Sequence, residues 1–180
     1  MGIAGPPGAG KSTVAARLVT LLDSAALLPM DGYHYHQSKL VALGRRERMG
    51  AADTFDVEAF VDTLRQIRSS DKVVFAPSFS REREEPVPAS IVIRPATQTV
   101  VVEGNYLLLD SGLWSEVAPL LDATFFVDLD DDIRRSRLIE RHIQFGKSAP
   151  DARAWALGAD ESNARAIAGT RGRAQHYIAL

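Results

Sequence analysis

The sequence predicts an α/β fold, a doubly wound parallel sheet with flanking helices, on three observations. Short β-rich apolar runs alternate with helical patterns along nearly the whole chain, the order that builds a parallel sheet covered on both faces. The first helical pattern follows a glycine-rich turn, Gly5-Pro6-Pro7-Gly8-Ala9-Gly10. Acidic residues stand at the ends of two apolar runs, where the ligand crevice of such a sheet lies. With 180 residues the chain suffices for one well-buried core and not for two ordinary domains, so one domain over residues 1–180 is expected.

In order along the chain, the glycine-rich turn leaves only Met1 to Ala4 for the first strand, fewer than the roughly five residues usual for a strand. A truncated first strand is therefore expected, with the true start upstream. Val14, Leu18, Leu21 and Leu22 recur at helical spacing and place a helix from Lys11. Ala25 to Met30 reads as a buried strand ending at Asp31-Gly32. Periodicity then disappears from Tyr33 to Phe55, and a loop of that length in a compact domain is usually functional. Asp56 caps a helix whose apolar face is Val57, Phe60, Val61, Leu64 and Ile67.

Val73 to Ala76 and Ser90 to Arg94 flank a charged, proline-containing stretch and predict a small antiparallel flap. Thr99 to Val102 is a continuous β-branched run that delivers Glu103 at its tip. Ala123 to Val127 gives another strand, and Asp130 to about Phe145 a helix with an acidic start that suits the helix dipole. On it Arg134, Arg137 and Arg141 fall at i, i+3 and i+7, one face that could clamp phosphates. Gly146 to Gly158 reads as a mobile segment, Asp160 to Ala168 as a helix, and Tyr177 to Leu180 as a strand closing the sheet.

Gly5-Pro6-Pro7-Gly8-Ala9-Gly10-Lys11-Ser12 satisfies G-x-x-x-x-G-K-[ST] directly before a helix, the phosphate-loop motif. Its glycines let backbone N–H groups turn inward around a β-phosphate, and the helix N-terminus adds a favourable dipole. Lys11 would bridge the β- and γ-phosphates, Ser12 would hold Mg²⁺, and Thr13 completes the nucleotide-binding run. The motif binds nucleotide without choosing the reaction. The chain has no N-K-x-D run for guanine and no ABC-type signature, and it is short for the added modules of ring-forming ATPases. A carboxylate after the first helix, a long loop, a flap and an arginine-bearing helix are instead the parts of a small-molecule kinase.

Composition narrows the partners. A formal net charge of −2 gives no pull toward nucleic acid or an anionic membrane. No apolar run approaches the ~20 residues of a spanning helix. The absence of cysteine removes thiolate chemistry and suits a reducing interior, so a cytoplasmic protein is expected. The partner expected is a small-molecule acceptor bearing a hydroxyl, and a homodimer is compatible with the sequence.

Three segments carry a more specific likeness: Met30-Asp31-Gly32-Tyr33-His34, Arg48-Met49-Gly50-Ala51-Ala52-Asp53-Thr54-Phe55-Asp56, and Val102-Glu103-Gly104-Asn105-Tyr106-Leu107-Leu108. They resemble the phosphoribulokinase/uridine kinase/pantothenate kinase superfamily, closest to its bacterial nucleoside/nucleotide-kinase-like members labelled fructose transport system kinases. Ala76-Pro77-Ser78-Phe79, the Arg137 to Arg141 segment and Asp160-Glu161-Ser162-Asn163-Ala164 fit the same pattern. The resemblance implies a P-loop kinase fold with a lid, ATP with Mg²⁺, and phosphorylation of a sugar-like or pantothenate-like alcohol. It implies that Asp31 is the general base and a metal-side carboxylate, and that Glu103 orients the Mg²⁺ shell. Arg137, Arg141 and Lys147 would be the lid's basic residues. Tyr33, His34, Asp53 and Tyr106 would line the acceptor pocket. After Phe79, where related kinases often carry Asp, this chain has Ser80 and Arg81, so Arg81 joins the substrate-binding set.

The same residues also fit plainer roles. Asp31 beside Gly32 can end a strand at a turn, Asp53 can belong to a turn before the helix, and arginine rows on helices are most often solvated. His34 and His36 lack the further ligands of a zinc site, and Trp114 and Trp155 are read as packing residues. A uridine- or pantothenate-type kinase, and a regulatory nucleotide-binding module that hydrolyses ATP slowly, remain the alternatives.

Overall fold

The computed structural model describes residues 1–180. Its centre is a five-stranded, all-parallel sheet in the order β2-β5-β1-β6-β7. These are β1 (Gly2–Ala4), β2 (Ala25–Pro29), β5 (Thr99–Gly104), β6 (Thr124–Asp128) and β7 (His176–Ala179). β1 has three residues and still occupies the middle of the sheet, paired with β5 on one side and β6 on the other. An unbroken apolar run suits a strand covered on both faces, and Val101 and Val102 of β5 are buried accordingly.

The helices are α1 (Lys11–Leu21), α2 (Gln37–Ala42), α3 (Val57–Ser69), α4 (Asp131–Gln144), α5 (Ala149–Leu157) and α6 (Ala159–Ala168). Asp56 caps α3 by accepting from the Ala59 N–H at 3.1 Å, and Asp130 caps α4 by accepting from Asp132 at 2.9 Å. A 17-residue cluster that includes Phe55, Phe60, Tyr106 and Trp114 forms the larger core. Ile3, Ala9, Ala15, Val101 and Val127 form a smaller one beside α1. No helix is long and apolar enough to cross a membrane.

Three segments depart from the sequence reading. The aperiodic stretch 33–55 contains α2, a helix of 6 residues too short to show a repeat. The stretch expected to be a mobile segment from Gly146 to Gly158 is mostly α5, started by Ser148, whose hydroxyl accepts from the Asp151 N–H at 3.3 Å. Its buried face is Ala152 and Ala156, at helical spacing but too small to register as an apolar stripe. The flap strands are longer than the two runs suggested: β3 is Val74–Ser80 and β4 is Glu85–Ile93, antiparallel, with a register shift between Ala76 and Ser78. Prolines 77, 86 and 88 fit because a two-stranded ribbon is all edge.

Candidate active site

The carboxyl ends of β1, β2 and β5 converge on one cleft. From β1 the chain turns through Gly5 to Gly10 into α1. Gly8 has φ 81° and packs so closely on α4 that a Cβ there would lie 2.7 Å from the Arg134 carbonyl oxygen and 2.7 Å from Leu138 Cγ. Gly10 offers α1 no side-chain cap, leaving first-turn N–H groups open to an anion. Lys11 is buried, and its Nζ donates to the Pro6 carbonyl at 3.0 Å. Burial lowers its pKa to about 8, against the opposing pull of Glu103 and Asp31. Ser12 Oγ donates to Glu103 Oε1 at 3.0 Å, joining α1 to the tip of β5.

β2 ends in a tight helical turn, Met30–Tyr33, that presents Asp31 to the cleft. Its root is wedged against the flap: a Cβ on Gly32 would lie 2.2 Å from the Pro77 carbonyl oxygen, so only glycine fits. Arg81, from the turn after β3, donates to Asp31 Oδ2 at 3.2 Å. The two cleft carboxylates, Asp31 partly exposed and Glu103 buried, diverge electrostatically. Burial alone would raise Asp31, but His34, Arg81, Lys11 and Arg141 outweigh it and its pKa falls below the ordinary value. Glu103 moves up, first through burial and then through the negative charge of Asp31.

Two cavities meet here. The loop-side cavity is bordered by Gly8, Gly10, Lys11, Ser12, Thr13 and Arg137, with Arg17 and Leu18 of α1 beyond them. The flap-side cavity is bordered by Pro7, Asp31, His34 and residues of the flap, α4, α5 and α6. Arg81 and Arg141 border both, so their guanidinium groups stand at the junction.

Of the residues the sequence nominated, Pro7, Asp31, His34, Arg81 and Arg141 come together on the flap side, and Gly8, Gly10, Lys11, Ser12 and Thr13 with Arg137 on the loop side. Arg134 does not join them, which corrects the reading of one arginine face. It is fully buried, donating to Asp131 at 2.8 Å, to Glu161 at 2.6 Å and toward the Pro7 carbonyl at 3.5 Å. The helix turns it toward the body, where α4 packs against the back of the phosphate loop.

Three residues expected at the pocket wall sit elsewhere. Tyr33 is buried in the core against Phe60, ring centroids 4.9 Å apart. Tyr106 is buried and donates to the Gly50 carbonyl at 2.7 Å, so it shapes the cleft through the backbone of Gly50, which does line it. Asp53 borders a separate depression and accepts from Arg48 at 2.6 Å and 2.5 Å. Gly5 and Ala9 are buried within the fold of the loop itself.

Other lining residues, apart from Lys147, carried no clear sequence signal. Arg46 and Lys147 both pair with Glu84, the latter at 3.7 Å, across the cleft mouth. His142 Nε2 lies 2.7 Å from Asp160. Trp155, read as packing, lies on the cleft with Lys147 Nζ 4.8 Å from its ring centre. The nearest signal for this group was the Asp160 to Ala164 segment of the resemblance.

The profile of the Phosphoribulokinase / Uridine kinase family matches residues 1–149. The chain is 35% identical to the uncharacterized Escherichia coli K12 protein YggC across 90% of this chain and 69% of that one. It is 37% identical to a uridine kinase from Leuconostoc citreum across 79% of this chain and 68% of its relative. The structure superposes with a TM-score of 0.90 on a candidate fructose transport system kinase from Silicibacter sp. TM1040, 31% identical, covering 98% of this chain and 87% of that one.

Proposed function

The chain belongs to the phosphoribulokinase/uridine kinase family, and we propose that it transfers the γ-phosphate of ATP to a hydroxyl of a sugar-like metabolite in the cytoplasm. That it is a small-metabolite kinase follows from the family; the acceptor and the residue roles below are our reading. The observation that carries it is the junction of the two cavities, where Asp31, Arg81 and Arg141 surround the point at which a phosphoryl group would pass from loop side to flap side.

In this reading the loop N–H groups and the start of α1 hold the β-phosphate. Lys11, now on the Pro6 carbonyl, extends to the β- and γ-oxygens. Arg141 and Arg137 neutralise charge that develops on the transferring group. Asp31, kept ionised by its cationic neighbours, accepts the proton of the attacking hydroxyl. Before that it must leave Arg81, which is then free to contact the phosphoryl group.

Ser12 Oγ and the Glu103 and Asp31 carboxylates are hard oxygen donors, with no group of three or more acidic or imidazole side chains around them. That set fits Mg²⁺, which keeps several waters and takes one or two carboxylates beside substrate phosphates. When bound, the ion screens the β- and γ-phosphate charges, and Glu103 would orient its water shell.

The test is mass-spectrometric detection of phosphorylated products from ATP, Mg²⁺ and pooled sugars, nucleosides and pantothenate, with Lys11→Ala as control. A product that gains one phosphate and vanishes in the control supports the reading and names the acceptor, whether sugar, uridine-type or pantothenate-type. The Arg81–Asp31 contact favours one other reading, a regulatory module whose base stays blocked. Tight ATP binding with slow ADP release and no phosphorylated metabolite would establish that instead.

A further inference from the structure

The two tryptophans of the chain are placed in opposite ways. Trp114 is buried in the larger core against Phe55, Phe60 and Tyr106, and donates its indole N–H to the Ala52 carbonyl at 3.0 Å. Trp155 is only partly buried and borders the flap-side cavity. A buried indole N–H normally finds a partner. That of Trp155 has none in the protein and is open instead, since the Tyr33 hydroxyl is the only side-chain polar atom sealed from solvent without a partner. The helix sets this position: Ala152 and Ala156 form the buried side of α5, and Trp155 stands at its margin.

No ring stacks on the Trp155 indole. His142 meets it edge-on, with centroids 6.5 Å apart, and the group over its face is Lys147 Nζ, 4.8 Å from the ring centre. An aromatic face is negative at its centre, and this draws the ammonium. The ammonium has a second partner, Glu84 Oε1 at 3.7 Å, so it can leave the indole without losing a counter-charge. The polar groups nearby are also free. The chain has two asparagines, Asn105 and Asn163; both border the same cavity, and neither carboxamide is hydrogen-bonded to the protein or sealed from solvent. Asn163 Nδ2 lies beside Gly50, 3.8 Å from where a Cβ on that glycine would stand, and the Gly50 carbonyl accepts from Tyr106, next to Asn105. A carboxamide both donates and accepts, as a hydroxyl does. Trp155 and Asn163 lie beyond residues 1–149 matched by the family profile, so family membership does not set what this wall takes.

We infer that Trp155 is a stacking platform for the ring of a cyclic sugar, which lays its C–H face on the indole while ring hydroxyls meet Asn105 and Asn163. The inference rests on the kinase reading above and makes the acceptor a furanose or pyranose rather than an open-chain alcohol. The C–H bonds on a sugar face are electropositive, so they take the place that the ammonium holds in the free protein, and Lys147 turns onto Glu84. An open chain has no such rigid face and must give up internal rotations to form one. Trp155 is thus a specificity-determining residue that touches the acceptor and takes no part in proton transfer.

The experiment has two arms. In the first, acrylamide quenching of intrinsic fluorescence reads Trp155, because Trp114 is only 5% exposed and Trp155→Phe leaves Trp114 as the sole emitter for subtraction. The ADP-bound protein is given each of the pooled sugars, the alditol made by reducing it, the nucleosides and pantothenate. A cyclic sugar should protect Trp155 from the quencher, and its alditol should not. In the second arm, wild type, Trp155→Ala and Trp155→Phe are given the same compounds with ATP and Mg²⁺, and initial rates are followed. Trp155→Ala should raise the KM for the sugar about tenfold, more than it lowers kcat, and Trp155→Phe should recover part of the loss. ADP affinity, which belongs to the loop side, should stay unchanged in both variants as the check on folding. A sugar that is phosphorylated while Trp155 remains open to the quencher overturns this inference alone. So does a KM change below about twofold in Trp155→Ala, or protection by a nucleoside or pantothenate and by no sugar. No product from wild type with ADP binding intact overturns the kinase reading and takes this inference with it.

Discussion

The loop side and the flap side of the cleft are built by opposite means. On the loop side one continuous segment, Gly5 to Thr13, supplies backbone N–H groups and Lys11, and it is braced from behind by α4 through Gly8 and Arg134. On the flap side the wall is made of side chains from the β2 turn, the 34–55 segment, the flap and α4 to α6, and many of them are already paired with one another. The first arrangement fixes a ligand common to many proteins. The second can change its ligand by changing single side chains, because its lining is drawn from several separate elements rather than from one continuous segment.

The sharpest way to break this contrast is at the base. Asp31→Asn should lower kcat by about 10²- to 10⁴-fold while ADP affinity stays within about threefold; steady-state kinetics and calorimetry would show it. A parallel loss of ADP affinity would mean that the two sides are not separable. Next comes a comparison within α4. Arg134→Met removes a fully buried cation from Glu161 and should cost about 3 kcal/mol in urea unfolding. Arg141→Met should leave stability within about 0.5 kcal/mol and slow turnover instead. Equal stability losses would erase the distinction between brace and clamp.

A third effect is a pH dependence of nucleotide binding. Lys11 has a pKa of about 8 in the free protein, and bound phosphates must raise it, so binding takes up a proton between the two values. ATP affinity is therefore full below pH 8 and should fall up to about tenfold per unit above it, measured by calorimetry; Lys11→Arg should remove the dependence. The smallest effect is expected at Asp53. It sits outside the cleft in a partly exposed pair with Arg48, so Asp53→Asn should shift stability by less than about 1 kcal/mol. The acceptor KM should stay within about twofold. A large KM change would place Asp53 in the acceptor site after all.

The same contrast explains what the sequence disclosed. Motif spacing carries the loop side because a backbone cradle needs glycines and a lysine at fixed intervals, and Asp31 and Glu103 were visible because strand tips of parallel sheets face the crevice. Arg134 shared a helix face with Arg137 and Arg141, but periodicity gives only direction, and it took the packing of Gly8 on α4 to put that arginine indoors. Tyr33 and His34 are adjacent in one turn and point apart, one into the core and one into the cleft, a parity that no periodic pattern marks in an irregular segment. α5 was hidden because its buried face consists of alanines.

The wedge of Gly32 against Pro77 bears on timing. With backbone packed on backbone, the root of the flap cannot swing relative to the turn that carries Asp31. Arg81 therefore leaves Asp31 by rotating its own half-exposed side chain, an event of picoseconds to nanoseconds, whereas displacement of a whole element takes roughly microseconds to milliseconds. Unmasking of the base would then never limit turnover, and any slow conformational step in a catalytic cycle would have to be sought on the opposite wall, among α5, Lys147 and the end of α4.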